Sequence, residues 1–375
     1  MKVLNNPFVV YGYKGSEYFC DRVKETEILR QALHNERNVM LSSPRRLGKT
    51  GLIHHVFEQI ESQQEDVKCF YVDLMNTKTL GQLVEVFGKS VMGKLDTSPQ
   101  MALRKATALF STLRPTLKFD ELTGMPEFSV SVVPSEEDYS LKKIFDYLSS
   151  SNKRCYVAFD EFQQVTSYPE TTTEATLRSY IQFLPNVYFI FAGSQYHLMS
   201  DMFLSPKRPF YLAADTLTLK EIDLDEYLAF ANRHFKAIGL EMQRADFEYL
   251  YQLVDGQTYY VQKILNKLYE WRPEAIDMEK VVQAVEELIN LQGETFENYY
   301  MSMTENQAAL LLAIARERVV KAPYAAAFLR KHVLPALSSV KMALKSLTDK
   351  QLIYKKQDGY IVYDRFFALW LRNRL

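Results

Sequence analysis

The sequence predicts an α/β protein: a largely parallel sheet with helices on both faces, followed by a helical region and then a small helix-and-hairpin unit. Three observations carry this expectation. Apolar strand-like runs alternate with segments of helical period up to about residue 219, and such alternation gives parallel strands with helices crossing over both faces. Beyond that point the apolar period is helical almost throughout, with Gly239, Gly256 and Pro273 as punctuation. The chain then closes on two short apolar runs that flank a glycine turn.

Taken in order, residues 22–34 read as an amphipathic helix, with Val23, Ile28, Leu29 and Leu33 set among Lys24, Glu25, Glu27 and Arg30. A strand is expected at Val39-Met40-Leu41, then a turn-rich loop over 42–49. The helix that follows from Thr50 keeps Leu52, Ile53, Val56, Phe57 and Ile60 at helical spacing. A second strand covers 68–73, with a helix over about 80–92 and another between Pro99 and Leu113. Alternating residues over 115–133, about Thr123-Gly124, suggest an inserted hairpin. A helix over 141–148 precedes a buried strand at 155–159, a further strand covers 187–191, and a fifth is placed on Phe210-Tyr211-Leu212. After two or three helices, the run from Gln351 to Lys356, the turn Gln357-Asp358-Gly359 and the run from Tyr360 to Tyr363 outline a winged helix.

A chain of 375 residues suits two or three compact units. With 24 Tyr, 23 Phe and 47% hydrophobic residues it is not a disordered chain. No stretch nears the roughly 20 continuous apolar residues that span a bilayer. The start Met1-Lys2-Val3-Leu4-Asn5-Asn6 has no signal-peptide core, so a soluble cytoplasmic protein without a membrane partner is expected. Cys20, Cys69 and Cys155 are far apart and read as reduced packing residues. The neighbours His54 and His55 point in different directions on a helix and do not make a metal-ligand pair. The total charge of −1 hides an asymmetry: residues 304–375 hold 13 Lys and Arg against 5 Asp and Glu, a net +8, which leaves −9 elsewhere. The basic end is thus a separate electrostatic object.

The strongest chemical signal is Ser43-Pro44-Arg45-Arg46-Leu47-Gly48-Lys49-Thr50. It is a phosphate loop, G-x-x-x-x-G-K-[ST], with Ser43 at the first glycine. Gly48 admits close approach to a phosphate, and the helix that starts at Thr50 and runs on through Gly51 adds its positive end. Lys49 would neutralise phosphate charge, and the Thr50 hydroxyl would ligate magnesium. A second signal is independent of the first: Asp160-Glu161 leave the carboxyl end of a buried strand, where sheets of this class bind ligands. Asp160 is the candidate magnesium holder, and Glu161 the candidate base on the attacking water. Ser194, after the strand that ends in Ala192-Gly193, is placed near the γ-phosphate or that water. Arg208 is a candidate for transition-state charge. Asn266-Lys267-Leu268-Tyr269 lacks the carboxylate of a guanine reader, so ATP with Mg2+ is the expected ligand pair.

These residues resemble a known family, the archaeal-type ATPases of the STAND branch of the AAA+-related P-loop proteins. Tyr18-Phe19-Cys20-Asp21-Arg22-Val23-Lys24-Glu25 resembles its opening box, which in relatives lies beside the adenine, so Phe19 and Arg22 join residues 43–51 as implied nucleotide contacts. The loop is similar to G-P-R-R-x-G-K-T, and Phe159-Asp160-Glu161-Phe162-Gln163 to the acidic strand end. Gly193-Ser194 matches the sensor position, Gly256-Gln257-Thr258-Tyr259-Tyr260-Val261-Gln262 resembles G-x-P-Y-Y-x-Q, and the run from Tyr363 to Leu371 resembles the aromatic segment after the winged helix. The resemblance implies an ASCE-type P-loop sheet of strand order 5-1-4-3-2, a helical lid and a C-terminal winged helix. The corresponding domains are 1–219, with the inserted hairpin at about 115–133, then 220–303 and 304–375. Two departures stand out: Ser43 replaces the first loop glycine, and Thr258 replaces a proline of the lid's nucleotide-sensing segment. The chain ends at Leu375, so the nuclease-like extension of longer relatives is not expected.

The function expected is a slow ATP-driven switch, in which nucleotide held between sheet and lid sets the position of the basic winged helix. Two alternatives stand beside it. One is an ATP-dependent DNA-binding regulator, with Lys341 and Lys345 on a recognition helix over 338–347 and Lys355 and Lys356 on the wing. The other is a scaffold that binds nucleotide without hydrolysing it. The winged helix equally suits a protein partner, and oligomerisation is left open. Replacing Lys49 by Ala is expected to abolish ATP binding and leave the fold intact, since the loop reads as surface.

Overall fold

The computed structural model of the protein describes residues 4–92, 94–95, 113–119, 126–132, 136–356 and 359–374. The chain forms two compact units, one over Tyr11–Glu221 and one that combines Met1–Val10 with Ile222–Leu375.

In the first unit β1 (Val39–Ser42) and β2 (Val67–Asp73) precede an antiparallel hairpin of β3 (Leu113–Phe119) and β4 (Pro126–Val132). After the hairpin, β5 (Arg154–Asp160), β6 (Val187–Gly193) and β7 (Asp215–Thr218) rejoin β1 and β2 in one sheet. Its order is β2-β5-β6-β1-β7 and every pairing is parallel. Counting only these five strands from the β7 edge, the order is the expected 5-1-4-3-2. Between their ends the central strands are apolar because both their faces are covered. On one face Phe70, Val72, Val157, Phe159, Phe189 and Phe191 meet the helices Leu80–Val91, Glu137–Ser149, Thr173–Ile181 and Tyr196–Leu204. On the other, Val39, Leu41, Cys69, Tyr156, Ala158 and Ile190 meet Val23–His34 and Lys49–Gln63. Both cores lie directly beneath the carboxyl ends of β1, β5 and β6, so a loop that leaves those ends starts from a rigid base.

The structure corrects several sequence expectations. The fifth strand is Asp215–Thr218, and Phe210-Tyr211-Leu212 lies in turns, with Leu212 at φ 52°. Phe210 is fully buried against Phe162, Phe191 and Phe203, at 5.3, 5.2 and 5.3 Å between ring centroids. It fills the core from a turn, whereas the true edge strand is largely exposed and carries no apolar signal. In the first helix Val23 and Ile28 face solvent, and the buried side is Thr26, Leu29, Ala32 and Leu33. The helix expected between Pro99 and Leu113 lies outside the described residues apart from Leu113, which opens β3. The turn Thr123-Gly124 lies outside them too.

The second unit contains the helices Leu224–Lys236, Arg244–Leu253, Thr258–Trp271, Met278–Asn290 and Gly293–Met301, with Gly239, Gly256 and Pro273 in the connections. Three helices follow, Glu305–Glu317, Ala326–Lys331 and Leu337–Asp349, then the hairpin of β8 (Ile353–Lys356) and β9 (Gly359–Val362) and a last helix, Arg365–Asn373. Val320 and Tyr360 exchange backbone hydrogen bonds at 2.9 Å in each direction, which adds a third short edge to the hairpin and completes a winged helix. The turn residues 357 and 358 lie outside the described residues. The last helix packs on Met278–Asn290 and Gly293–Met301, with Phe296 stacked on Phe367 at 5.2 Å, so the helical region and the winged helix share one unit. Phe8 is fully buried here, 5.0 Å from Phe235 and 5.7 Å from Tyr269 between ring centroids. The first ten residues therefore belong to this unit and not, as the sequence suggested, with residues up to 219.

Candidate functional site

The loop 43–49 leaves the end of β1 tied to its neighbour. The buried Ser43 donates its amide to the Gly193 carbonyl at 3.1 Å, at the end of β6, and its hydroxyl to the Pro44 carbonyl at 2.7 Å. Arg46 at φ 71° and Gly48 at φ 89° then bend the chain into the helix Lys49–Gln63. At Gly48 this left-handed turn costs little because no β-carbon is present, and a helix start has N–H groups without a partner inside the helix, which suits an anion at the loop. Arg22 fixes the loop from outside. Its buried guanidinium donates to the Leu47 carbonyl at 3.0 Å and pairs with Glu25 at 2.9 Å. A β-carbon at Gly51 would lie 3.4 Å from the Phe19 ring, which stacks on His55 at 4.3 Å. Both opening-box residues therefore touch the loop or the helix that it starts.

β5 brings in the carboxylates. It ends at Asp160, and Glu161 turns the chain with a left-handed φ of 55° into the 3-10 turn Phe162–Ser167. The Lys49 ammonium pairs with Asp160 Oδ1 and, at 2.9 Å, with Glu161 Oε1. Asp160 Oδ2 accepts from the hydroxyls of Thr50 and Tyr71, each at 2.8 Å. Glu161 Oε2 accepts from the Ser194 hydroxyl at 2.6 Å and the Gln163 amide at 2.5 Å. Arg45 reaches the same cluster, with Nε donating to Ser194 Oγ at 3.3 Å. Burial raises the pKa of both carboxyls, but the Lys49 charge and the surrounding hydrogen bonds more than reverse this, and both end below their ordinary value. Burial and the Asp160 charge push the Tyr71 hydroxyl upward, so it remains a proton donor.

Lys49, Thr50, Asp160, Glu161, Ser194 and Arg45 thus form one network. Lys49 is only 6% exposed, so its charge is an internal one and not the surface feature that the loop suggested. Arg208 is not brought to this cluster. It pairs with Glu174 at 2.5 Å and lies 3.4 Å from Asp201, both on the helices beside its own turn. Tyr71 and the contact made by Gln163 were missed. Tyr71 sits on β2 opposite Ala158 of β5, and its role follows only once those strands are known to be neighbours.

The donor set fits magnesium. Thr50 and Asp160 place hard oxygens together, and among the described residues no three His, Cys, Asp or Glu side chains form a metal cage. Magnesium is commonly held by one or two carboxylates plus substrate phosphates rather than by an all-protein cage.

Two family models match the chain: an ATPase domain predominantly from Archaea over residues 19–264, and a winged helix domain over residues 294–373. Among solved structures, a Walker-type ATPase of Pyrococcus abyssi is 21% identical, with 98% of this chain and 99% of that one covered and a TM-score of 0.63. The Aeropyrum pernix ORC1 protein in complex with DNA is 13% identical, covering 99% and 96% of the two chains, with a TM-score of 0.55. The ORC2 protein of the same organism, in its ADPNP-ADP complexes, is 16% identical over 99% and 98%, with a TM-score of 0.51. At these identities the likeness is one of fold. No curated protein matches.

Proposed function

The chain belongs to the family of ATPase domains found predominantly in Archaea, and from that premise we propose that it is a magnesium-dependent ATP-driven switch of the STAND type. The observation that carries this is the single network joining Lys49, Thr50, Asp160, Glu161 and Ser194. The loop amides and the helix start would cradle the phosphates, and Lys49 would leave its carboxylates for phosphate oxygens. Thr50 and Asp160 would hold magnesium, which supplies positive charge to the phosphate oxygens. Glu161, once Oε1 is released by Lys49, would orient and deprotonate the attacking water. Phe19 and Arg22 would lie beside the adenine.

The basic winged helix is the proposed output. Lys341, Lys345 and Lys355 are exposed on the helix Leu337–Asp349 and on β8, which favours a second reading, contact with the phosphates of a nucleic acid. No helix of the described residues is long and apolar enough to cross a membrane. Cys20, Cys69 and Cys155 are buried and form no disulfide, which fits a reducing compartment, and we propose the cytoplasm.

The deciding experiment is steady-state phosphate release by the wild type and by Glu161→Gln. The variant should keep Mg-ATP and lose about 100-fold or more in turnover. Turnover at the wild-type rate would move the base elsewhere.

A further inference from the structure

The two oxygens of Glu161 have different surroundings. Oε1 faces the Lys49 ammonium at 2.9 Å, while Oε2 receives two neutral donors, Ser194 at 2.6 Å and Gln163 at 2.5 Å. We propose that Gln163 is a positioning residue for hydrolysis: with Ser194 it clamps the outer oxygen of Glu161, so that the other oxygen is aimed at the reacting water when Lys49 turns to phosphate. This rests on the reading of Glu161 as the base. Ser194 comes from the end of β6 and Gln163 from the 3-10 turn after β5, so the clamp is anchored on two elements.

Packing alone does not explain a glutamine here. Gln163 is 2% exposed and its neighbours Phe162 and Val165 are apolar. Its amide oxygen has no hydrogen-bond partner. A buried polar atom left in that condition is destabilising, a cost that an apolar side chain of the same length would not incur. What the amide gains is the bond from its nitrogen to Glu161. The sheet also makes room for it. A β-carbon at Gly193 would lie 2.5 Å from Gln163 Oε1 and 2.4 Å from Met199 Sδ, so a larger residue there would force these side chains to shift. The left-handed turn at Glu161 is a further cost accepted at the same place.

The test is Gln163→Met, which keeps length and volume and removes the amide. kcat should fall about 10- to 100-fold, the scale for a reacting group displaced by about 1 Å, with KM, Mg-ATP affinity and Tm unchanged. Gln163→Met and Ser194→Ala act on one oxygen, so the double variant should be slowed by less than the product of the two single effects. An inactive Glu161→Gln beside a fully active Gln163→Met would overturn the positioning role and leave the base assignment standing. Normal turnover by Glu161→Gln would remove the base assignment, and the clamp with it. Loss of Tm and Mg-ATP affinity in step with rate would show Gln163 to be a packing residue, which also overturns the proposal.

Discussion

Lys49 in the sheet unit and Arg365 in the helical unit are both buried cations, and they are surrounded differently. Lys49 meets two full carboxylates, Asp160 through Oδ1 and Glu161 through Oε1, whose other oxygens accept hydrogen bonds from Thr50 and Ser194. One positive charge against two negative ones leaves an excess that favours another cation. Arg365, in the helical unit, meets a single carboxylate, the half-exposed Asp255, at 3.2 Å. Its remaining donors reach neutral acceptors: the Val362 carbonyl at 3.0 Å and, with the Gln257 amide oxygen turned toward it, that oxygen at 3.1 and 3.0 Å. A planar fork with five donors suits such a spread, and a compact ammonium suits exchange between anions. Arg365 is balanced where it lies; Lys49 is poised to change partners. Gln257, in the segment that resembles a nucleotide-sensing motif, and the preceding Asp255 hold the arginine that opens the last helix.

The largest effect expected follows from Lys49. Lys49→Ala should weaken Mg-ATP binding by about 100-fold or more, the scale for truncating one member of a buried charge pair. Because the side chain is buried and paired, the variant should also lose about 3 kcal/mol of stability, in contrast to the intact fold that a surface loop would keep. Magnesium ions alone should restore part of that loss by taking the place of the missing charge. Calorimetry with Mg-ATP, and thermal melts with and without magnesium, check both halves. Unchanged affinity would remove the loop from the site, and a melt indifferent to magnesium would remove the argument from excess charge.

Arg365→Leu is the matching change in the other unit, with a smaller effect. Stability should fall by about 2 kcal/mol through lost charge-assisted hydrogen bonds, a value held down because solvent reaches Asp255. Magnesium should not restore it, and turnover per folded molecule should be unchanged. Denaturant melts beside the phosphate assay decide the matter. A loss of Mg-ATP affinity without a loss of stability would place Arg365 in the nucleotide machinery and erase the contrast with Lys49.

The same contrast explains what the sequence makes legible. The loop 43–50 and the pair Asp160-Glu161 can be read because their chemistry lies in consecutive residues at the ends of apolar strands, and a strand end fixes where such residues go. Ser194 can be read for the same reason, at the end of β6. Arg208 cannot, because its partners Glu174 and Asp201 come from helices at other points of the chain and a lone arginine between prolines does not announce them. Tyr71 and Gln163 depend on which strands are neighbours and on how the chain turns after Glu161, neither of which leaves a local pattern. The burial of Lys49 is hidden too: the motif gives the residue, and only the folded loop shows that two carboxylates enclose it.

The smallest effects belong to cations that neither unit buries. Reversal of Lys341, Lys345, Lys355 and Lys356 to Glu alters the winged helix at exposed or half-buried positions, and each substitution should change stability by no more than about 0.5 kcal/mol. ATP turnover should not change, because these charges lie outside the sheet unit that carries the network around Lys49. If the +8 of residues 304–375 serves a nucleic acid, wild-type affinity for a DNA duplex should come mainly from phosphate contacts, fall steeply with salt, and vanish in the variant. If the basic face instead answers the acidic remainder of the chain, the reversal should alter turnover and no duplex should bind to either protein. Fluorescence anisotropy at low and moderate salt, run beside phosphate release, separates these outcomes. Absence of wild-type binding at low salt would sink the nucleic-acid reading while leaving the contrast between Lys49 and Arg365 untouched, since that contrast rests on two buried cations and not on the surface charge of the winged helix.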